Sequence, residues 1–207
     1  VDAITIRDIH PIEATSYQIM RSKVDTTHLL PRSRDVAERI VHTTADVGWL
    51  EDLVLDESAL SRGATALWRQ APLIVDVTMV KAGITRYPSI CTVAESETAE
   101  FAKQHGLTRS AAAIRLAAAE HPSGAVWAVG NAPTALFELI RLRENGEINP
   151  ALVIGLPVGF VGAAESKEAL RHSDLPQLSN VSARGGSAVA AAAVNALLYG
   201  NPLEDAS

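Results

Sequence analysis

The amino-acid sequence predicts an α/β fold: a mostly parallel sheet with helices on both faces, in a three-layer, Rossmann-like arrangement. Three observations carry that reading. β-branched apolar runs of strand length alternate with alanine-rich runs of helix length through the second half of the chain. The junctions between them are glycine-bearing corners. Of 207 residues, 47% are apolar, enough for one good core. No composition shift or Pro/Ser-rich linker divides the chain, so a single domain over residues 1–207 is expected.

The elements follow in order. Pro11 to Asp25 reads as a helix with Ile12, Ile19 and Val24 as its apolar points, and Ser33 to Asp46 as a second with Val36, Ala37, Ile40 and Val41 inward. After a loop, Glu57 to Gln70 is helical. Pro72-Leu-Ile-Val-Asp-Val-Thr-Met-Val80 reads as a buried strand, and Ser89-Ile-Cys-Thr-Val93 as a short second one. Helices follow at Glu97 to Gln104 and Ser110 to Glu120. Three strand–corner–helix units close the chain. In Ala125 to Phe137 the corner is Gly130-Asn131, and Pro133 falls in the first helical turn, where a missing N–H is tolerated. In Ala151 to Leu170 an apolar run breaks at Pro157, Gly159 and Gly162 before an alanine-rich helix. In Leu178 to Leu198 the corner is Gly185-Gly186, with Ser187 expected as N-cap.

Parallel strands that feed helices place a ligand at their carboxyl ends. Small residues at the corners let a backbone come close to that ligand, and helix N-termini favour an anion. The corners, that of residues 151–170 above all, read as built for an acidic ligand.

Composition excludes several classes. The net charge of −6, without a basic stripe, argues against a nucleic-acid partner. Cys91 is the one cysteine, so no intrachain disulfide forms and a cytoplasmic protein is expected. Val1 to Asp8 lacks the basic and apolar regions of a leader, and no apolar run is long enough to cross a bilayer, so no membrane association is expected. Gly155, Gly159 and Gly162 do not have the dinucleotide-binding spacing, which disfavours a nucleotide-dependent enzyme. The six histidines have no metal-ligand spacing, and no metal site is expected. His10, His28, His105, His121 and His172 read as surface residues in loops or at helix ends.

His42 is the leading candidate for chemistry. Asp35, Arg39, His42 and Asp46 recur at helical spacing on the side opposite the apolar face, which lets the imidazole reach out between charges of both signs. A solvated polar stripe has the same pattern.

Seven strings carry a wider likeness: His10-Pro-Ile-Glu-Ala-Thr-Ser16, Arg39-Ile-Val-His-Thr-Thr-Ala-Asp46, Gly83-Ile-Thr85, Thr108-Arg-Ser-Ala-Ala-Ala113, Gly130-Asn-Ala-Pro-Thr-Ala-Leu136, Pro157-Val-Gly-Phe-Val-Gly-Ala-Ala-Glu-Ser-Lys167 and Gly185-Gly-Ser187. In residues and order, over nearly the whole chain, the sequence closely resembles the precorrin-8X methylmutase family, including the cobalt-precorrin-8 methylmutases of cobalamin biosynthesis. The resemblance implies migration of a methyl group from C-11 to C-12 of a tetrapyrrole-derived ring, converting precorrin-8X to hydrogenobyrinate or cobalt-precorrin-8 to cobyrinate. It implies no cofactor, and His42 as the catalytic acid and base.

The same resemblance implies a polycarboxylate substrate met by several cations. Arg39, Lys81, Arg86, Arg109, Lys167 and Arg184 lie in or beside the shared strings, and guanidinium forks suit carboxylates. Arg109, with Ser110 beside it at a helix start, leads this set; solvent exposure or helix capping would equally account for Lys167 and Arg184. Ser16, Thr85, Asn131 and Thr134 are implied as hydrogen-bonding contacts, although each residue type is also common as a cap or turn residue. The segment after Thr85 is shorter than in many relatives. His42, Arg109, Asn131 and the 159–162 corner are expected to face one cavity, in a homodimer with sites at or near the subunit boundary. A non-catalytic protein that holds a corrinoid is the alternative, and turnover separates the two.

Overall fold

The computed structural model describes residues 10–200; the Val1 to Asp8 stretch considered above lies outside them. The chain begins with α1 (Pro11–Lys23), α2 (Pro31–Thr44), the single turn α3 (Trp49–Asp52), β1 (Leu53–Leu55) and α4 (Glu57–Trp68). It continues with β2 (Leu73–Val75), α5 (Thr78–Gly83), α6 (Ser96–His105) and α7 (Arg109–Glu120). Three strand–helix units end it: β3 (Val126–Val129) with α8 (Pro133–Glu144), β4 (Leu152–Gly155) with α9 (Ala163–His172), and β5 (Gln177–Asn180) with α10 (Ser187–Tyr199).

The sheet has the order β1-β5-β4-β3-β2. Its four strands β2 to β5 are parallel, and β1 joins the β5 edge antiparallel, with Leu53 opposite Asn180. Side chains alternate across the sheet as the pleat requires. Leu73, Val75, Val126, Ala128, Leu152 and Ile154 face a core shared with α1, α2, α4 and α10. Ile74, Trp127, Val129 and Val153 face a second core formed with α7, α8 and α9. The expected three layers are present.

Alanine dominates α10 because that helix is squeezed between α2, α5 and the sheet, with Val189 to Val194 all buried. Glycine is required where α4 crosses β4: a Cβ on Gly63 would lie 2.4 Å from Leu152 Cδ2 and 2.9 Å from its Cβ. Gly63→Val is therefore expected to destabilise the fold by about 1–3 kcal/mol through overpacking, measurable as a lower denaturation midpoint.

Four expectations are corrected. The Pro72 to Val80 strand ends at Val75, because the Asp76 side chain turns to bond the next corner and Thr78 then opens α5. Ser89 to Val93 forms one parallel bridge, Ile90 to Ile74, rather than a strand. α2 stops at Thr44 with Ala45 left-handed (φ 53°), so Asp46 leaves the stripe shared by Asp35, Arg39 and His42. Ser187 is the first residue of α10, and Gly186 occupies the cap.

Candidate active site

His42 lies in the last turn of α2, half-buried, against α1 and α10. Two contacts hold its ring. Ser16 Oγ of α1 is 3.0 Å from Nδ1, and the Tyr17 ring stacks on the imidazole at 4.6 Å and 21°. Arg39, one turn earlier on α2, sits 5.7 Å from the Tyr17 ring centroid and pairs with Glu13 at 3.1 Å. The helix supporting these groups is capped from a distance: the Glu57 carboxylate of α4 accepts the Arg32 and Ser33 amides at 2.9 and 2.8 Å, satisfying donors that Leu30 cannot.

The imidazole opens on a cleft of about 630 Å³ between α1, α2 and α10. Its polar wall is His10, Glu13, Ser16, Arg39, His42 and Thr43; its opposite wall is Gly83, Ala188, Ala191, Ala192 and Asn195. Small side chains on that second wall leave room for a flat ligand to approach the helix closely. Asn195 ties the wall to the end of α5: its Nδ2 donates to Gly83 O at 2.9 Å, and its Oδ1 accepts from Thr85 N at 3.1 Å. A separate hollow of about 400 Å³ near the α1–α2 turn also carries cations, but Arg21 and Arg34 are both committed there to the buried Glu38.

The expected site residues fall into three places. Ser16, Arg39 and His42 line the cleft; Thr85 and Arg86 do not, but they lie two and three residues past the cleft residue Gly83, and the Thr85 amide donates to the cleft residue Asn195. Arg86 is exposed, and at φ 57° it has a left-handed conformation rare outside glycine. Arg109, Ser110, Asn131 and Thr134 gather where α7 and α8 begin, with Thr108 Oγ1 and Thr134 Oγ1 2.8 Å apart. None of these four lines the His42 cleft, so the expected common cavity is divided. The two groups adjoin at the first turn of α10, where a Cβ on Gly130 would be 3.0 Å from Ser187 Cα and 2.8 Å from Ala190 Cβ.

Lys167 is in neither group. It is fully buried, and its ammonium donates to Asn180 Oδ1 at 2.9 Å, to Arg184 O at 2.6 Å and to Ser182 O. Arg184 is also committed, to Asp46 and over the Trp49 ring at 4.4 Å. Lys81, Arg86 and Arg109 are exposed and form no ion pair among the described residues.

One of the three corners differs from its reading as an anion site. At the β3–α8 corner the amides of Gly130, Asn131 and Ala132 are taken by the Asp76 carboxylate at 2.9, 2.9 and 2.8 Å. Burial pushes that carboxyl above the usual carboxylate range despite these bonds. The chain supplies its own anion to this corner. His10, read as a surface residue, is exposed but lines the cleft, its Nδ1 accepting from Ile12 N at 3.3 Å. Its place at the head of the His10 to Ser16 string was the available signal; Glu13 and Asn195 had none beyond their neighbours.

Burial pushes the Lys167 ammonium down to about 8 from an ordinary 10.5. The unfolded chain then keeps this proton to higher pH than the folded one. The stability linked to Lys167 is thus gained as pH rises from about 8 toward 10.5, and lost as pH falls through 8. Across that window the denaturation midpoint of the protein should rise relative to that of Lys167→Met.

A doubly covered, mostly parallel sheet, with a histidine held in a cleft beside its carboxyl edge, defines an α/β enzyme of small-molecule metabolism. Comparison with known proteins makes this specific. The family model for precorrin-8X methylmutase matches residues 11–200. The chain belongs to that family and is an isomerase, a methylmutase. It is 44% identical over 164 residues to the cobalt-precorrin-8 methylmutase of Methanocaldococcus jannaschii, covering 79% of this chain and 77% of that protein. With the cobalt-precorrin-8 methylmutase of Salmonella typhimurium it shares 39% over 206 residues, 94% and 96% of the two chains. With the precorrin-8X methylmutase of a Sinorhizobium species it shares 40% over 200 residues, 93% and 95%. A crystal structure of the precorrin-8X methylmutase of Thermus thermophilus superposes with a TM-score of 0.82 at 31% identity, over 90% of this chain and 93% of that one.

Proposed function

We propose that the protein moves a methyl group from C-11 to C-12 of precorrin-8X or its cobalt-containing counterpart, with His42 as the acid and base. The observation that carries this reading is the held imidazole: Ser16 engages Nδ1 at 3.0 Å, Tyr17 fixes the ring plane, and the ring borders a cleft whose far wall is glycine and alanine. The proton that reaches the substrate is carried on Nε2. Protonation makes the conjugated macrocycle electron-poor at the receiving carbon. The methyl group then migrates with its bonding pair, one C–C bond breaking as another forms, and the same imidazole takes the proton back. Atoms and charge balance without a second substrate.

The rim carboxylates need cations that are not already spent. Arg109, Arg86 and Lys81 meet that condition, with Ser110, Asn131, Thr134 and Thr85 as neighbouring hydrogen-bonding groups. Arg39 serves mainly to neutralise Glu13 at the cleft wall. Lys167 leaves the contact set, since three protein oxygens occupy its donors. Incubating the purified protein with metal-free and with cobalt-containing precorrin-8, and recording spectra as conjugation extends, tests the reading. Conversion of either form supports it; binding of both without conversion overturns it in favour of a corrinoid-holding protein.

The working form in this reading is a cytoplasmic homodimer. The His42 and Arg109 groups flank α10 without closing one pocket, and a second copy across the open cleft would complete an enclosure for a large planar ligand. The mass in solution is expected to be twice that of one chain, and at subsaturating substrate, where His42→Ala lacks the acid and Arg109→Ala binds weakly, mixing the two variants should raise activity if the two groups meet across the boundary. A fully active monomer would sink the shared site.

A further inference from the structure

The loop between β5 and α10, residues 181–186, has no regular structure of its own, yet its polar backbone is satisfied from two sides by opposite charges. From α3, Asp52 accepts the loop's donors: its carboxylate takes the Val181 and Ser182 amides at 3.1 and 2.8 Å and the Ser182 hydroxyl at 2.7 Å. From α9, Lys167 donates to the loop's acceptors, the carbonyls of Ser182 and Arg184. Between them Asn180 bridges the two charges, accepting from Lys167 at 2.9 Å and donating to Asp52 at 2.9 Å. The acid satisfies donors and the base satisfies acceptors, so neither charge can be exchanged for the other.

What this loop carries matters for the cleft. Its far end enters α10, whose Ala188, Ala191 and Ala192 form the wall facing His42. Arg184 reaches from it to Asp46 and Trp49, just beyond the end of α2. α2 and α10 make the most extensive helix–helix contact in the molecule. On the other side, Gly186 N donates to Leu156 O at 2.9 Å and Gly159 N to Ala183 O at 3.3 Å. A Cβ on Gly185 would fall 2.4 Å from both the Leu156 and Pro157 carbonyl oxygens, so the loop can seat here only with glycine at that point.

We propose that Lys167 and Asp52 are positioning residues, a two-sided clamp on loop 181–186 that sets α10 against α2 and so fixes the distance across the His42 cleft. A buried ammonium is a costly way to fill space, and an apolar side chain of similar length would pack as well. Its retention is accounted for by the geometry it imposes on two carbonyls that no helix or strand satisfies. The groups facing Lys167 are consistent with a structural charge: Asp52 raises its proton affinity, while burial and Arg171, itself bonded to Asn180 O at 2.8 Å, lower it. The same chemistry explains why a lysine in a string that suggests ligand binding makes no contact with the cleft.

The clamp's effect on catalysis rests on the methylmutase reading above; its effect on the loop does not. Lys167→Met and Asp52→Asn are compared with Gly63→Val, which overpacks the α4–β4 crossing against Leu152 and removes no hydrogen bond of the clamp. Misplacing a cleft wall is expected to lower kcat by about tenfold or more, while the dissociation constant for product changes by less than about threefold. Amide hydrogen exchange at Gly186 and Gly159 should accelerate by about tenfold or more in both clamp variants, with Val153 in the central strand unaffected. In Gly63→Val, kcat should hold and those two amides should stay protected. Unchanged protection at Gly186 and Gly159 would overturn the clamp, and so would a defect confined to weaker product binding, which would make Lys167 a direct substrate contact. If Lys167→Met does not fold, Asp52→Asn carries both readouts. If the unaltered protein shows no turnover, the methylmutase reading fails while the exchange measurement still decides the clamp.

Discussion

Replacing His42 with alanine is expected to lower kcat by roughly 10²–10⁴, the usual contribution of a positioned acid, with little change in product binding. In the proposed mechanism the labour is divided. The imidazole is asked only to give and retake a proton, while affinity resides in carboxylate contacts elsewhere on the carboxyl edge. Ser16→Ala should fall between the two proteins, because Ser16 holds Nδ1 at 3.0 Å but Tyr17 continues to fix the ring plane. Single-turnover spectra with bound substrate check both variants, since they report chemistry apart from release. Wild-type turnover in His42→Ala would end the catalytic assignment. A loss that appears only as a higher dissociation constant would move His42 into the binding set.

The second large effect is expected at Arg109. It is exposed, forms no ion pair among the described residues, and stands at the start of α7 with Ser110, beside the Thr108–Thr134 hydroxyl pair. Closing a charge-assisted bond to a substrate carboxylate there should strengthen binding by about ten- to a hundredfold. Arg109→Ala should lose that factor in product affinity while the rate from the bound state changes less. Arg62, exposed on α4 beside a shallow surface of Ser61, Thr65 and Arg69, is the proper control. Arg171 would not serve, because it is half-buried and donates to Asn180 O. Equal affinities for Arg109→Ala and Arg62→Ala would remove Arg109 from the carboxylate set.

Much of the architecture was legible in residue order. The three closing strand–corner–helix units fall where glycine, proline and apolar periodicity place them, and α1, α2, α4, α6 and α7 lie within a few residues of expectation. The errors cluster where local pattern and tertiary pairing disagree. Leu53–Leu55 is only three residues long and half-buried, so no alternation marks it; it is a strand because β5 offers an open edge. Val77 to Val80 is β-branched enough to read as strand, but Asp76 must turn toward the amides of residues 130–132, and that bond ends β2.

The sequence by itself determined the α/β class and the family, and singled out the histidine proposed as acid and base, because these depend on periodicity and on strings of neighbouring residues. Only the tertiary structure decided which charges remain for a ligand. Arg39, Lys167 and Arg184 looked as available as Arg86 and Arg109, yet the first three are committed to Glu13, to loop carbonyls and to Asp46, partners 15 to 138 residues away in the chain. Asp76 likewise fills the corner at Gly130 from 54 residues upstream. A charge finds its counterpart by distance in space, and that distance is set only when the sheet and its helices have packed.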